Sequence, residues 1–279
     1  MLSYQHSYHA GNCADVHKHL ALVCLLQQLQ LKETPFCYVD AHAACGLYDL
    51  QSEAALKTRE AEQGISQFEG GQVKNAQFRA YLEAIAHYNG GEGGIRCYPG
   101  SAALAQVFLR QQDRAILLEQ HPQAVVSLKR NLGKDRRLAI HHRDSYEGLP
   151  ALLPPDIRRG MVLLDPSYEV KQEYGQIFEL LQKAWKRWGN AIFVLWFPLL
   201  REGRHTHLLK KLNAAAFGKT LYSEFVWDTQ TDGMGGSGLF IINSPWYFAE
   251  QFTATMQEVL EVLGKQPGAG HRLQDSQGR

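Results

Sequence analysis

The chain has 279 residues, of which 45% are apolar and 20% charged, with a formal net charge of +1. That length suits one large domain or a domain with an insertion, and the composition excludes a disordered chain. A balanced charge excludes a uniformly basic surface, so any contact with nucleic acid must come from a local patch.

The start of the chain lacks a basic segment followed by an apolar core, so no signal peptide is expected. No apolar run approaches the length of a membrane span. The five cysteines are odd in number and form no CxxC pair. This fits a reducing, cytoplasmic setting, with Cys24 and Cys37 as small core residues. Residues 15–31 carry apolar side chains at helical spacing, with Asp15 as the expected N-cap. A short buried strand over 36–39 ends in Asp40. Residues 51–94 break the pattern that follows; they read as two helices, 53–68 and 76–88, joined by Gly70-Gly71. We take them as a helical insertion, with 1–50 and 95–279 forming the main domain.

Beyond the insertion, a helix over 102–110 precedes a strand over 115–118 that ends in Glu119. A helix over 121–132 leads to a strand over 138–140, followed closely by Asp144. The apolar run 161–164 is a fourth strand, ending in Asp165. A helix over 173–187 leads to a fifth strand, 191–197, broken by Pro198. Two further strands, 221–227 and 239–243, flank a glycine-rich connector over 233–238, and the tail from Pro267 frays. Alternating strands and helices predict an α/β fold, a mostly parallel seven-stranded sheet with helices on both faces.

Four strands therefore end in, or just before, an acid: Asp40, Glu119, Asp144 and Asp165. In parallel sheets, ligands bind outside the carboxyl ends of the strands. A row of carboxylates there is costly unless it meets a polar ligand, although each acid alone also fits a cap or a turn. Glu119 is placed to bind two ribose hydroxyls, and Asp144 can accept from an adenine amino group. No Walker lysine follows the small-residue stretch 41–46, so a pyrophosphate cradle is not expected. S-adenosylmethionine fits better than NAD, the other candidate cofactor.

Asp165-Pro166-Ser167-Tyr168 can hold a flat amino-bearing ring. Asp165 and the Pro166 carbonyl each accept one N–H, and Tyr168 stacks on the ring; Asp-Pro at a strand end is also ordinary turn chemistry. His6, His9, His17 and His19 crowd the amino-terminal region without a zinc spacing, and His17 and His19 point in different directions on a helix. They read as ordering groups, and no metal is expected. Basic clusters at 129–137, 158–159, 183–187 and 201–211 read singly as solvated helix faces, and together as a possible phosphate-binding surface.

The opening Leu2-Ser3-Tyr4-x-His6-Ser7-x-His9-Ala10-Gly11-Asn12-x-Ala14-Asp15-Val16-x-Lys18-His19 resembles the bacterial large-subunit ribosomal RNA adenine-N6 methyltransferase J (RlmJ) family. This family has also been labelled a competence-related, DNA-utilisation family. The likeness extends through Tyr98-Pro99-Gly100-Ser101, Leu195-Trp196-x-Pro198, and Gly233-Met234 with Ser237-Gly238 and Asn243-x-Pro245-Trp246. It implies a Rossmann-like class I methyltransferase fold with S-adenosylmethionine as cofactor, and a monomer acting on an unstacked or loop adenine of ribosomal RNA. His19, His42, Ser101, Glu119, Asp144, Ser145 and Asp165 match cofactor-contacting positions. Asp165, Pro166 and Tyr168 match the catalytic tetrapeptide, and Tyr4, Lys18 and Tyr168 match substrate positions. Two departures stand out: Ser167 where the family usually has a second proline, and Ala44 where it usually has glycine. A DNA adenine methyltransferase and a non-catalytic nucleic-acid-binding protein are the alternative readings.

Overall fold

The computed structural model describes residues 5–90, 94–170 and 172–275. In chain order the elements are α1 (Cys13–Gln30), β1 (Cys37–Asp40), β2 (Leu47–Asp49), α2 (Glu53–Thr58), α3 (Glu60–Gln63), α4 (Ala76–His87), β3 (Cys97–Pro99), α5 (Ser101–Phe108), β4 (Arg114–Glu119) and α6 (Pro122–Leu132). They continue with β5 (Leu138–His142), α7 (Ser145–Leu152), β6 (Gly160–Leu164), α8 (Glu173–Arg187), β7 (Ile192–Leu200), α9 (His205–Ala214), β8 (Thr220–Val226), β9 (Met234–Ile242), α10 (Phe248–Leu263) and β10 (Gly270–Asp275).

The main sheet has eight strands in the order β10-β8-β9-β7-β6-β1-β4-β5. From β5 to β7 the strands run parallel, and β9, β8 and β10 join by antiparallel pairing. Side chains alternate across the sheet because a strand has period two. Met161 and Leu163 of β6 face one core, and Val162 and Leu164 the other. The first core is covered by α1, α4, α5, α6 and α10, the second by α7, α8 and α9. Helix α1 is buried almost throughout; its apolar run over 20–26 permits this, and Asp15, His17, Lys18 and His19 ahead of that run are buried with partners.

Four expectations change. The tail does not fray at Pro267: residues 270–275 pair with β8 and make the eighth strand. The glycine-rich stretch is not a connector but part of β9, because glycine there lets neighbours close in. A Cβ on Gly238 would lie 2.4 Å from the Phe197 ring, and one on Gly235 1.9 Å from the Asp228 carbonyl oxygen. Strand β7 runs through Pro198. β6 ends opposite Leu195, so beyond it β7 has a neighbour on one side only and tolerates a residue without an N–H. Finally, the helix expected over 53–68 is broken: Arg59 takes φ 54°, and a 3₁₀ turn follows over Ile65–Phe68. Residues 51–94 are bracketed by the β2–β3 ribbon, and Phe78, Tyr81 and Ile85 within them join the core around α1.

Candidate active site

The sheet reverses its strand order between β1 and β6, and a crevice opens there at the carboxyl ends of the strands, as this topology requires. Its cavity measures about 310 Å³ and is lined by Lys18, His19, His42, Ser101, Glu119, Ser145, Asp165 and Pro166. Most of the cofactor and substrate positions named above are thereby brought together. Tyr4 lies outside the described residues.

Asp165 follows β6 and is clamped from α1: the Lys18 Nζ donates to its Oδ2 at 2.5 Å. The same ammonium sits 2.9 Å from Asp15 Oδ1. Asp15 is not the N-cap. Asn12 takes that role, accepting from the Asp15 N–H, and the helix starts two residues earlier than the apolar pattern suggested. Inside the first turn, Asp15 Oδ2 instead accepts from the Gly11 N–H and meets His6 Nε2, each at 2.9 Å. Burial opposes both charges, but each offsets the other: Asp15 is held well below the usual carboxylate range by His6 and Lys18, and the two carboxylates push the Lys18 pKa up.

His42, after β1, joins two loops. The Asp165 backbone N–H donates to Nδ1 at 3.1 Å, so Nδ1 is the acceptor, and the proton on Nε2 donates to the Ser145 hydroxyl at 2.9 Å. Burial lowers the His42 pKa to about 4 and keeps this tautomer neutral. His19, beside Lys18 on α1, has its Nδ1 2.7 Å from the Tyr98 hydroxyl; burial lowers its pKa to about 3.

Asp40 is a support rather than a lining group. Fully buried, it accepts from the Tyr38 and Ser101 hydroxyls at 2.7 Å and from the His42 N–H at 3.1 Å. Asp144 caps α7 through the Tyr146 N–H at 2.9 Å, and its neighbour Ser145 lines the crevice. Tyr168, expected to stack on a substrate ring, turns inward. Its φ of 54° directs the side chain into the core against Tyr174 and Trp196, and its hydroxyl donates to the Trp196 carbonyl at 2.7 Å. Tyr146 and Glu173 line the crevice without having been singled out. Their one signal was position, each in the first turn of the helix that follows a strand-end acid.

Glu119 has the valence for a ribose. Its Oε2 accepts from the Ala44 N–H at 2.8 Å and its Oε1 from the His121 N–H at 2.6 Å. An ionised carboxyl offers about four acceptor sites, so each oxygen keeps one for a hydroxyl. The Tyr146 hydroxyl is buried beside the crevice with no hydrogen-bond partner among the described residues. Small residues, Ala41, Ala43, Ala44 and Gly100, leave room between these groups. A polar group with a diol therefore fits the residues present. Ala44 reaches this position at φ 49°, where a side chain costs about 1 kcal/mol. Ala44→Gly should raise the melting temperature by about 2 °C, part of the relief being offset by the freer unfolded chain. A lower melting temperature would mean that the methyl group packs better than it strains.

The basic clusters divide. Arg137 donates to the Leu109 and Gln106 carbonyls and pairs with Asp135, and Arg159 donates to the Leu29 and Thr34 carbonyls. Both are at strand starts, away from the crevice. Arg201 and Arg204 follow the carboxyl end of β7, on the crevice side.

The parallel run of strands, the antiparallel additions beyond β7 and the crevice at the switch point define a class I S-adenosylmethionine-dependent methyltransferase. The family model described as "Ribosomal RNA large subunit methyltransferase D, RlmJ" matches residues 33–275. The chain belongs to that family, and its methyl donor is S-adenosylmethionine. It is 37% identical over 276 residues to the ribosomal RNA large subunit methyltransferase J of Escherichia coli (strain K12), covering 97% of each chain. To the protein of the same name from Haemophilus influenzae it is 36% identical, covering 95% of this chain and 94% of the relative. A crystal structure of a Legionella pneumophila protein superposes with a TM-score of 0.88 at 30% identity, covering 95% of this chain and 98% of that one. Among the described residues no helix is long and apolar enough to cross a membrane.

Proposed function

We propose that the protein transfers a methyl group from S-adenosylmethionine to N6 of an unstacked adenine in large-subunit ribosomal RNA, acting as a monomer in the cytoplasm. One observation carries the reading. Lys18 holds Oδ2 of Asp165 and leaves Oδ1 available beside Pro166, in a crevice that suits the donor. The resemblance in the amino-terminal motif and the names of the two curated relatives support ribosomal RNA as the substrate.

The donor supplies an electrophilic methyl on a sulfonium leaving group. The remaining work is alignment. Adenine N6 is a poor nucleophile because its lone pair is delocalised into the ring. Asp165 Oδ1 accepts one N–H and the Pro166 carbonyl the other, which favours tetrahedral character at N6 and aims its lone pair into the crevice. Lys18 supplies the counter-charge and fixes the carboxylate, and the surplus proton of N6 leaves to Asp165 or to water. Ser101 and His42, both tied to Asp40, and Glu119 bind and orient the donor. Tyr168 anchors the loop through Trp196 in place of stacking on the base. The target base must leave its stack, at a cost of a few kcal/mol that is smaller in a loop.

Mass-spectrometric mapping of N6-methyladenine in ribosomal RNA, with and without the gene, tests the reading. One modified adenine should disappear on deletion and return with the wild-type gene. Unchanged ribosomal RNA would end it. For the donor site, Glu119→Ala should weaken S-adenosylmethionine binding about 10–100-fold by calorimetry, the size of a hydrogen bond to a charged group. Unchanged affinity would remove Glu119 from the site.

A further inference from the structure

Two motifs of the sequence, Trp196 in β7 and Ser237 in the glycine-rich β9, do not line the crevice. They are instead joined to α1 by a chain of hydrogen bonds, buried at its centre and half-buried at its ends. The Trp196 indole N–H donates to Ser237 Oγ at 2.9 Å. Ser237 Oγ lies 2.9 Å from His17 Nδ1, and His17 Nε2 lies 2.9 Å from Ser223 Oγ. Ser223 Oγ is 2.8 Å from His271 Nε2, on β10. His17, Ser223 and Ser237 are fully buried. An indole N–H can only donate, and this sets a direction that satisfies every group with neutral imidazoles. Ser237 then donates to His17, His17 to Ser223, and Ser223 to His271. Burial keeps His17 neutral by lowering its pKa, and Phe225 and Phe252 hold its ring between them at 5.8 and 5.7 Å.

The other end of the chain reaches the crevice. Lys18 Nζ lies 5.4 Å from the centre of the Trp196 ring, and the Trp196 carbonyl accepts from the Tyr168 hydroxyl. Trp196 therefore meets Lys18, which holds Asp165, through its ring, and Tyr168, three residues beyond Asp165, through its carbonyl. A tryptophan turned by even one rotamer would withdraw its ring face from the ammonium.

We infer that His17 and Ser237 are positioning residues that act through the Trp196 indole to hold Lys18, and with it Asp165, in register for the reaction. Consecutive residues of α1 thus divide the labour: Lys18 grips Asp165, and His17 fixes the surface that Lys18 rests on. The inference rests on the methyltransferase reading above.

Ser237→Ala, Trp196→Phe and the double variant test it, with ribosomal RNA from a deletion strain as substrate. Ser237→Ala should lower kcat about 10-fold, as small misplacements in an aligned site do, with KM for RNA and the Kd for S-adenosylmethionine unchanged. Once Trp196→Phe has removed the indole N–H, adding Ser237→Ala should change kcat less than about two-fold. A wild-type kcat in Ser237→Ala, multiplying effects in the double variant, or a lowered melting temperature with unchanged kcat would each overturn the inference. A second arm does not need turnover. Acylation of Lys18, followed by mass spectrometry, should rise several-fold in Ser237→Ala over wild type, and equal labelling would overturn the inference. If the wild-type protein methylates no ribosomal RNA, the functional reading fails, and the labelling arm still decides the inference.

Discussion

Asp165→Ala should lower the single-turnover rate of methyl transfer to ribosomal RNA by about 10³-fold or more. A positioned proton acceptor contributes about 10²–10⁴-fold, and here the same group also sets the angle of attack, an alignment that can contribute several kcal/mol more. Lys18 holds Oδ2 of Asp165 at 2.5 Å, which leaves Oδ1 as the oxygen more open to a substrate; alanine removes both contacts at once. The fold should survive, because Asp165 is partly exposed and the displaced ammonium keeps Asp15 at 2.9 Å. Asp165→Asn should fall between wild type and Asp165→Ala. Its carbonyl can still accept from N6, but its amide would then present donors to a lysine that has only donors. Quenched-flow reactions scored by N6-methyladenine content would measure this. A rate above about a tenth of wild type in Asp165→Ala would remove Asp165 from the chemistry.

Lys18→Met is expected to cost about 3–5 kcal/mol of stability, the loss seen when one member of a buried ion pair is removed. Lys18 is 3% exposed and stands between Asp15 and Asp165. Without it the two carboxylates lose their shared counter-charge, and Asp15, at 1% exposure, keeps His6 and the Gly11 N–H as its side-chain hydrogen-bond partners among the described residues. The folded Asp15 pKa lies well below the ordinary 3.8. The unfolded state therefore binds more protons in acid, and the contribution of Asp15 is complete above that value and lost as pH falls through the folded one. Lys18 has its folded pKa above the ordinary 10.5, so its contribution is complete below that value and lost only at higher pH. Lys18→Met should move the acid loss of stability to higher pH, because one of the charges that depress Asp15, beside that of His6, is gone. Urea unfolding between acid and neutral pH measures both effects. A variant as stable as wild type, with the same acid limb, would mean that the ammonium does not support the site.

Lys18 shows where the sequence stopped being legible. Its place in the amino-terminal motif marked it as a substrate position, but nothing in the spacing said that it would join two acids 150 residues apart in the chain. Asp165, Glu119 and Ser101 were legible because strand ends and helix starts expose side chains at a predictable place. Asp40 and Asp144 looked identical to them in sequence. Only the partners available in three dimensions made one a buried support and the other a helix cap. Tyr168 was misread for a local reason: a left-handed φ is invisible in a tetrapeptide and reverses the direction of the side chain.

The five parallel strands of the sheet, the helices α1, α5, α6 and α8 among them, the crevice at the strand ends and the family likeness were determined by the sequence alone. They follow from local periodicity, from residue types at element boundaries and from one specific motif. The eighth strand, the strand identity of the glycine-rich run and the Asp15–Lys18–Asp165 clamp were decided only by tertiary structure. Each depends on a partner far away in the chain: β8 for the tail, the Phe197 ring for Gly238, and α1 for Asp165. Sequence patterns report what a segment prefers on its own, whereas pairing, close approach and charge compensation are properties of two segments at once.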